Sequence, residues 1–321
     1  MIFKNPSALK RRICQLTHRE ASARLKVFED TSEFMLIDVG DVMRLANSDY
    51  LVTGHAREGR FGIDDQPKFW VKKAVDLTTG EKKIIKLVFL ETFSNTVGET
   101  SFQFVRSPEK EASVLEKMQG HPNFMHGQWV RDAAGNIVRI IDFIAGPSLY
   151  AYLRQLEMPP TIYYHQEMPR VMQLFIRSVQ GLSDLHRFGL HHGDIRADHL
   201  IVNNQTGNHV WIDFDYEVSR IDYDVLCLGN VLLQVVGKGR HSLHDIRLQS
   251  LDYPDLGSPL IPGDMSLMFR YRVANLGKLY PHISPDLNQL LMRFSVAVAD
   301  PHKTVDLLLA DLHLLFPSRS G

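Results

Sequence analysis

Leu190-His191-His192-Gly193-Asp194-Ile195-Arg196-Ala197-Asp198-His199-Leu200-Ile201-Val202, followed by Val210-Trp211-Ile212-Asp213-Phe214-Asp215, is the stretch on which the reading of this chain turns. Two short apolar runs, Leu200 to Val202 and Val210 to Ile212, flank the turn-forming residues Asn203 to Gly207, the pattern of a β-hairpin. Asp194 precedes the first run and Asp213 follows the second, so each carboxylate is fixed by a strand or loop end instead of lying on a mobile surface. Helical spacing surrounds this hairpin, at Ser148 to Leu156 and Val171 to Phe188 before it, and at Tyr223 to Val236, Ser284 to Ala299 and Thr304 to Leu315 after it.

Upstream the pattern changes. Phe34 to Ile37, Tyr50 to Val52, Phe69 to Val71 and Ile84 to Phe89 are β-prone runs separated by Gly- and Asp-rich turns, as in an antiparallel meander. Pro108 opens a helical stretch to Met118, and Gln128 to Val130 and Ile137 to Ile141 read as further strands. Residues 6 to 29, rich in Arg, Lys, Leu and Ala, read as a helix outside the main fold. The chain is thus expected to be α+β and two-lobed. Residues 1–49 form an N-terminal extension, 50–145 a small antiparallel sheet lobe with one helix, and 146–321 a mainly helical large lobe.

Composition sets the background. Across 321 residues, 44% are hydrophobic and 23% charged, the balance of an ordinary globular protein with room for two lobes. Lys plus Arg number 36 against 37 for Asp plus Glu, which gives no support to a nucleic-acid partner. The two cysteines, the lack of an apolar leader pattern and the lack of a run long enough to span a bilayer lead us to expect a soluble cytoplasmic protein. No His/Cys cluster has the spacing of a zinc site.

The quoted stretch resembles the catalytic loop and metal-binding motif of the protein-kinase-like superfamily. The family pattern is His-Arg-Asp, four residues, Asn, and then a hairpin ending in Asp-Phe-Gly. Here the spacing is kept while Gly193 replaces Arg, His199 replaces Asn and Asp215 replaces Gly. The chemistry agrees with the spacing, because phosphoryl transfer needs one carboxylate near the attacking hydroxyl and another to hold a divalent ion against the phosphates. The resemblance implies Asp194 in the first role, Asp213 in the second, Arg196 as a phosphate contact and His199 at the position of a second metal ligand.

Further matches extend over about residues 50 to 315. Lys86 stands where the family's lysine clamps the α- and β-phosphates, and Glu111, with Glu109 as the competing choice, stands where its helix glutamate pairs that lysine. Arg57 to Gly62 resembles the glycine-rich phosphate loop through Gly59 and Gly62, although extra residues follow it. Ile141 to Leu149 resembles the hinge, which implies adenine bonded by the backbones of Asp142 and Ile144 and floored by Ile201. Asp224 to Gly229 resembles the helix that anchors the catalytic loop, and Asp300 to Thr304 the turn before the last helix.

The resemblance therefore implies an ATP-dependent phosphotransferase using Mg²⁺ or Mn²⁺, acting on a hydroxyl, with protein Ser/Thr as the first choice of acceptor. One departure bears on that choice. Only Tyr216 to Tyr223 separate Asp215 from Asp224, too few residues for the activation segment on which peptide substrates dock. His-Gly-Asp also resembles aminoglycoside and choline kinases, and His199 followed by an apolar run resembles lipopolysaccharide-sugar kinases. A small-molecule acceptor and a nucleotide-binding pseudokinase thus remain alternatives.

Overall fold

The computed structural model describes residues 2–3, 5–18, 20, 22, 25–60, 63–248, 259–298 and 302–317. The expectations for Gly62 and for Asp300-Pro301 lie outside these residues. In chain order the elements are α1 (Pro6–Thr17), β1 (Val27–Phe28), β2 (Val42–Leu45), β3 (Ser48–Arg60), β4 (Ile63–Asp76), β5 (Lys82–Lys86), β6 (Thr92–Val97), β7 (Thr100–Arg106), α2 (Pro108–Lys117), β8 (Gly127–Arg131) and β9 (Ile137–Asp142). There follow α3 (Leu149–Gln155), α4 (Pro160–Gln166), α5 (Met168–Arg187), β10 (Leu200–Val202), β11 (His209–Trp211), β12 (Tyr216–Val218), α6 (Asp222–Val236), α7 (Leu243–Leu248), α8 (Leu276–Leu279), α9 (Pro285–Met292) and α10 (Val305–Leu315). The content is mixed α+β, as the sequence implied.

Two compact units make up the chain. The first comprises Met1–Glu91, Arg106–Gly120 and Met125–Ile144, and the second Thr92–Val105, His121–Phe124 and Ala145–Gly321. The first unit is built on a seven-stranded sheet of order β1-β2-β3-β4-β5-β9-β8, antiparallel except where β1 meets β2. Side chains alternate across it, as the period of a strand requires. Met43, Leu45, Tyr50 and Val52 enter one core with Ile85, Val138 and Ile140, while Val42 and Leu51 of the opposite alternation pack with Leu9 and Ile13 of α1. Helix α2 starts where Ser107 accepts the backbone N–H of Lys110 and Pro108 takes the first turn, and it packs on β8 and β9.

Three expectations need correction here. The helix expected over 6 to 29 ends at Thr17, where His18 turns left-handed and its N–H reaches the Cys14 carbonyl. Phe34 to Leu36 form a short 3-10 turn, with Met35 and Leu36 exposed; the Lys72 ammonium from β4 donates to the carbonyls of Phe34 and Ile37 at 3.0 and 2.5 Å. The residues between Gly62 and Phe69 do not interrupt the hairpin of β3 and β4 but lengthen it, since Arg57 pairs with Pro67 and Glu58 with Gln66.

The second unit is mainly helical. Helix α5 buries Val171, Met172, Phe175, Ile176, Val179, Leu182 and Leu185 at three- and four-residue spacing, and α6 is buried on nearly all sides. The helix expected over 284 to 299 is shorter, ending at Met292. The β10–β11 hairpin pairs Leu200 with Trp211 and Val202 with His209. Trp211 is fully buried and its indole N–H donates to the Ser178 carbonyl of α5 at 2.9 Å, which ties the hairpin to the helical core. Several elements had no counterpart in our reading of the sequence, among them β6 and β7, which form a hairpin that joins β12 in a three-stranded sheet of order β12-β7-β6.

His209 gives the unit a pH dependence. Its ring is 1% exposed, and burial pushes the imidazole down to about 4 from its ordinary 6.5. Below about pH 6.5 the unfolded chain takes up a proton that the native chain refuses, so stability is lost progressively as the pH falls from about 6.5 to about 4. Urea unfolding between pH 4.5 and 7 is expected to show this slope. His209→Leu is expected to reduce it.

Candidate active site

The site residues fall in both units, and each set has its own geometry. In the first unit, Lys86 at the end of β5 faces Arg139 of β9 in register, and α2 brings Glu111 to both. The Lys86 ammonium lies 2.6 Å from one Glu111 oxygen and the Arg139 guanidinium 3.2 Å from the other. All three side chains are at most 5% exposed. Charge-assisted hydrogen bonds offset the cost of removing these ions from water. Of the two glutamates considered, Glu111 is the partner; Glu109 instead accepts from the Ser107 hydroxyl at 3.4 Å. Arg139, whose other N–H groups reach the carbonyls of Ile137 and Leu87, was not singled out from the sequence. Its charge in the otherwise apolar run Ile137 to Ile141 was the available signal.

Asp142 closes β9. Its N–H goes to the His126 carbonyl and its carboxylate pairs with Lys83 at 2.7 Å, so the side chain is engaged within the sheet. Ile144 follows at the end of the unit. Gly59 lies within β3, in the long hairpin.

In the second unit the catalytic-type loop is held from behind by Asp224 of α6. Its carboxylate accepts the backbone N–H groups of His192 and Gly193 at 2.7 and 2.8 Å and faces the His186 ring nitrogen at 3.0 Å. Burial disfavours the charge, but the His186 hydrogen bond and the neighbouring histidines outweigh it and hold the Asp224 carboxyl well below the ordinary carboxylate range. Gly193, with φ of 84°, supplies the left-handed backbone at the point where the chain folds over Asp224. His192 is buried against Phe214 and Trp211, with ring centroids 4.4 and 5.3 Å away.

The loop's polar groups then converge. Asp194 Oδ1 lies 3.4 Å from Arg196 Nε, and the Asp194 carbonyl is 2.8 Å from His199 Nδ1. His199 Nε2 lies 3.3 Å from Asp213 Oδ2 and also contacts the Arg196 guanidinium. Asp194, Arg196, His199 and Asp213 are therefore assembled in one cluster, with Asp194 and Asp213 partly open to solvent. Asp213 has φ of 69°, a left-handed backbone without a glycine. Such a conformation costs of order 1–2 kcal/mol and is maintained only where the surroundings over-determine it. Ile201, the expected adenine floor, bridges to Ser148 across the strand edge. Gly146 makes that approach possible, because a Cβ there would meet the Val202 carbonyl oxygen at 1.9 Å.

Two donors suit a divalent ion by chemistry. With the Nδ1 proton directed to the Asp194 carbonyl, the His199 Nε2 lone pair meets the Arg196 guanidinium and lies 3.3 Å from Asp213 Oδ2, so His199 and Asp213 could share one cation once Arg196 turns away. The residues present fit such an ion.

The segment after Asp215 is the least like the pattern quoted above. Instead of a long loop, β12 pairs with β7, the Ser219 N–H reaching the Gln103 carbonyl at 3.1 Å. The Val218 N–H donates to His191 Nε2 at 2.9 Å. Phe102, Phe104, Tyr216 and Val218 close a small core beneath it.

Asp224→Ala leaves two buried N–H groups of the loop without an acceptor. It is expected to cost about 3–5 kcal/mol in urea unfolding, the range for removing one partner of a buried charged contact. Asp224→Asn, which keeps one acceptor oxygen, is expected to cost less.

No family model matches the chain, and no curated protein sequence does. Among solved structures the chain is similar to the kinase domain of Mycobacterium tuberculosis PknI, at 13% identity and a TM-score of 0.50, over 87% of this chain and 99% of that one. A cysteine-to-alanine variant of the same domain matches at 12% identity and a TM-score of 0.50, over 86% and 99%. Among the described residues no helix is long and apolar enough to cross a membrane. Coverage of nearly the whole kinase domain, at an identity too low to carry more than architecture, establishes that this protein has the protein-kinase-like fold.

Proposed function

We propose that this protein transfers the γ-phosphate of ATP to a hydroxyl group. The observation that carries the reading is the cluster of Asp194, Arg196, His199 and Asp213 on one loop and hairpin, with Asp213 in a left-handed conformation. Strain of that kind at a carboxylate is most simply explained by a charge that the carboxylate must meet. Asp213 and His199 would hold the divalent ion, which supplies neutralisation of phosphate charge. Asp194 would accept the proton of the acceptor hydroxyl, and Arg196 would steady the transferred phosphoryl group. Lys86, oriented by Glu111 and Arg139, would hold the α- and β-phosphates. The backbones of Asp142 and Ile144, with Ile201, would receive adenine, and the residues that match the glycine-rich loop, Gly59 and Gly62, would meet the phosphates.

For the acceptor, the structure of β12 favours a small molecule over a protein Ser/Thr side chain. Its edges are taken by β7 on one side and by His191 at Val218 on the other, so an extended peptide finds no open strand there.

Nucleotide binding and chemistry separate by mutation. ATP with Mg²⁺ or Mn²⁺ is expected to raise the melting temperature of the wild type and not of Asp213→Ala. Asp194→Asn is expected to keep that shift while lowering transfer by about a hundredfold or more, the contribution of general-base catalysis. A wild type without a shift overturns the nucleotide reading, and full transfer by Asp194→Asn removes Asp194 from the mechanism.

The metal assignment has its own readout. Imidazole nitrogen suits Mn²⁺ better than oxygen-seeking Mg²⁺. His199→Asn is therefore expected to lower the ratio of Mn²⁺ to Mg²⁺ affinity measured by titration with ATP present. An unchanged ratio would leave His199 as an orienting group for the Asp194 carbonyl.

A further inference from the structure

A basic, aromatic-lined patch adjoins the catalytic-type loop and plays no part in the nucleotide chemistry described above. Tyr150, at the start of α3, carries the Arg240 guanidinium over its ring at 4.1 Å and that of Arg154 at 5.5 Å, and its hydroxyl accepts from Arg154 at 3.3 Å. Arg272 lies over the rings of Phe269 and Tyr271 at 4.0 and 5.4 Å and donates to Asn230 Oδ1 at 3.0 Å. Burial, and with it the nearby charge of Arg240, lowers the Arg272 guanidinium's pKa, while Tyr150 acts on Arg272 in the opposite sense. Geometry groups them: Arg272 bridges to Ser242, two residues from Arg240, and the side chains of Arg272 and Arg240 reach Asn230 and Gln234, one turn apart on α6, while Arg240 and Arg154 share the Tyr150 ring.

Charge balance there is one-sided. Among the described residues, the only carboxylate within ion-pair range of these three arginines is Asp198, 3.1 Å from Arg240. Among the described residues that sets three positive charges against one negative. Arg240 already donates to Gln234 and Asp198, and Arg272 to Asn230 and Tyr271; the N–H groups that remain on these forks, gathered beside aromatic faces, match a planar or tetrahedral oxyanion, and a phosphate monoester carries close to two negative charges. Asp198 also ties the patch to the loop. It belongs to the 3-10 turn Ala197–His199, so Arg240 is anchored four residues along the chain from Asp194, the residue proposed to meet the acceptor hydroxyl.

We propose that Arg154, Arg240 and Arg272 bind a phosphate group already present on the acceptor, so that the acceptor is a small phosphorylated hydroxyl compound such as a sugar phosphate. This rests on the phosphotransferase reading only for the word acceptor; the anion site itself does not depend on it. A second phosphoryl group is then added to a compound that an earlier phosphorylation must supply. In the transfer the Pγ–O bond to ADP breaks and a bond from the acceptor oxygen to Pγ forms, with the hydroxyl proton passing to Asp194 and ADP leaving.

The test uses ribose 5-phosphate and ribose as a matched pair on the full chain, with binding followed by calorimetry at fixed salt. Wild type is expected to bind ribose 5-phosphate and not ribose. Arg272→Gln and Arg154→Gln are each expected to weaken the binding about tenfold, the loss of one hydrogen bond to a charged group. Arg154 is exposed, so its variant reports on the ligand even if Arg272→Gln perturbs the fold around Asn230. Inorganic phosphate is expected to compete with ribose 5-phosphate. Equal binding of ribose, no binding at all, or unchanged binding in both variants overturns the proposal. The ATP-dependent thermal shift, measured on the same samples and in Asp213→Ala, keeps the two readings apart. Loss of that shift with arginine-dependent phosphate binding intact would remove the phosphotransferase reading alone, and the converse would remove the phosphate patch alone.

Discussion

Everything at the candidate site of the helical unit depends on one buried carboxylate. Asp224 presents two oxygens to the backbone of His192 and Gly193 and draws in His186, so the loop that carries Asp194 is held from behind through main-chain N–H groups, and its own His191, His192 and His199 add further bonds. A carboxylate can do this only if it stays ionised in an apolar helix, and the hydrogen bonds it receives are what keep it so. Substituting Gly193 for a side-chain-bearing residue would oppose the same arrangement, since its φ of 84° suits glycine.

The first unit solves a parallel problem in a different way. Lys86 and Arg139 are neighbours in a sheet whose other face is apolar, and a single glutamate from α2 meets both. The sheet fixes the spacing of the cations and the helix fixes the anion, so the helix cannot slide without breaking two buried contacts. Removing either cation would leave Glu111 underpaired in the core, which is far costlier than the loss of a surface ion pair.

Much of this was legible in the sequence, and the parts that were not have physical reasons. The β10–β11 hairpin announced itself because its strands are short, apolar and joined by a turn-forming run, and the spacing of Asp194 from Asp213 followed from it. Phe34 to Leu36 misled because an apolar run reads as a strand, whereas Met35 and Leu36 face solvent and a 3-10 turn is closed by Lys72 from a distant strand. The β6 strand was invisible because Thr92 to Thr96 are exposed and largely polar, and its stability comes from Phe104 and Tyr216, which no local window brings together. Arg139 showed only as a charge in an apolar run and Arg240 not at all, since their partners, Glu111 and Tyr150, lie tens of residues away.

The three-stranded sheet joins parts of the chain that lie far apart in sequence. The β6–β7 hairpin precedes α2, and β12 lies in the short segment between Asp215 and Asp224. Each completes the other: the hairpin gives the short segment a partner strand, and the short segment gives the hairpin a core to lie on. Neither is a free-standing module. In a lineage of related chains they should be gained and lost together, and a graft that moves one without the other would carry an unpaired strand edge into its new host.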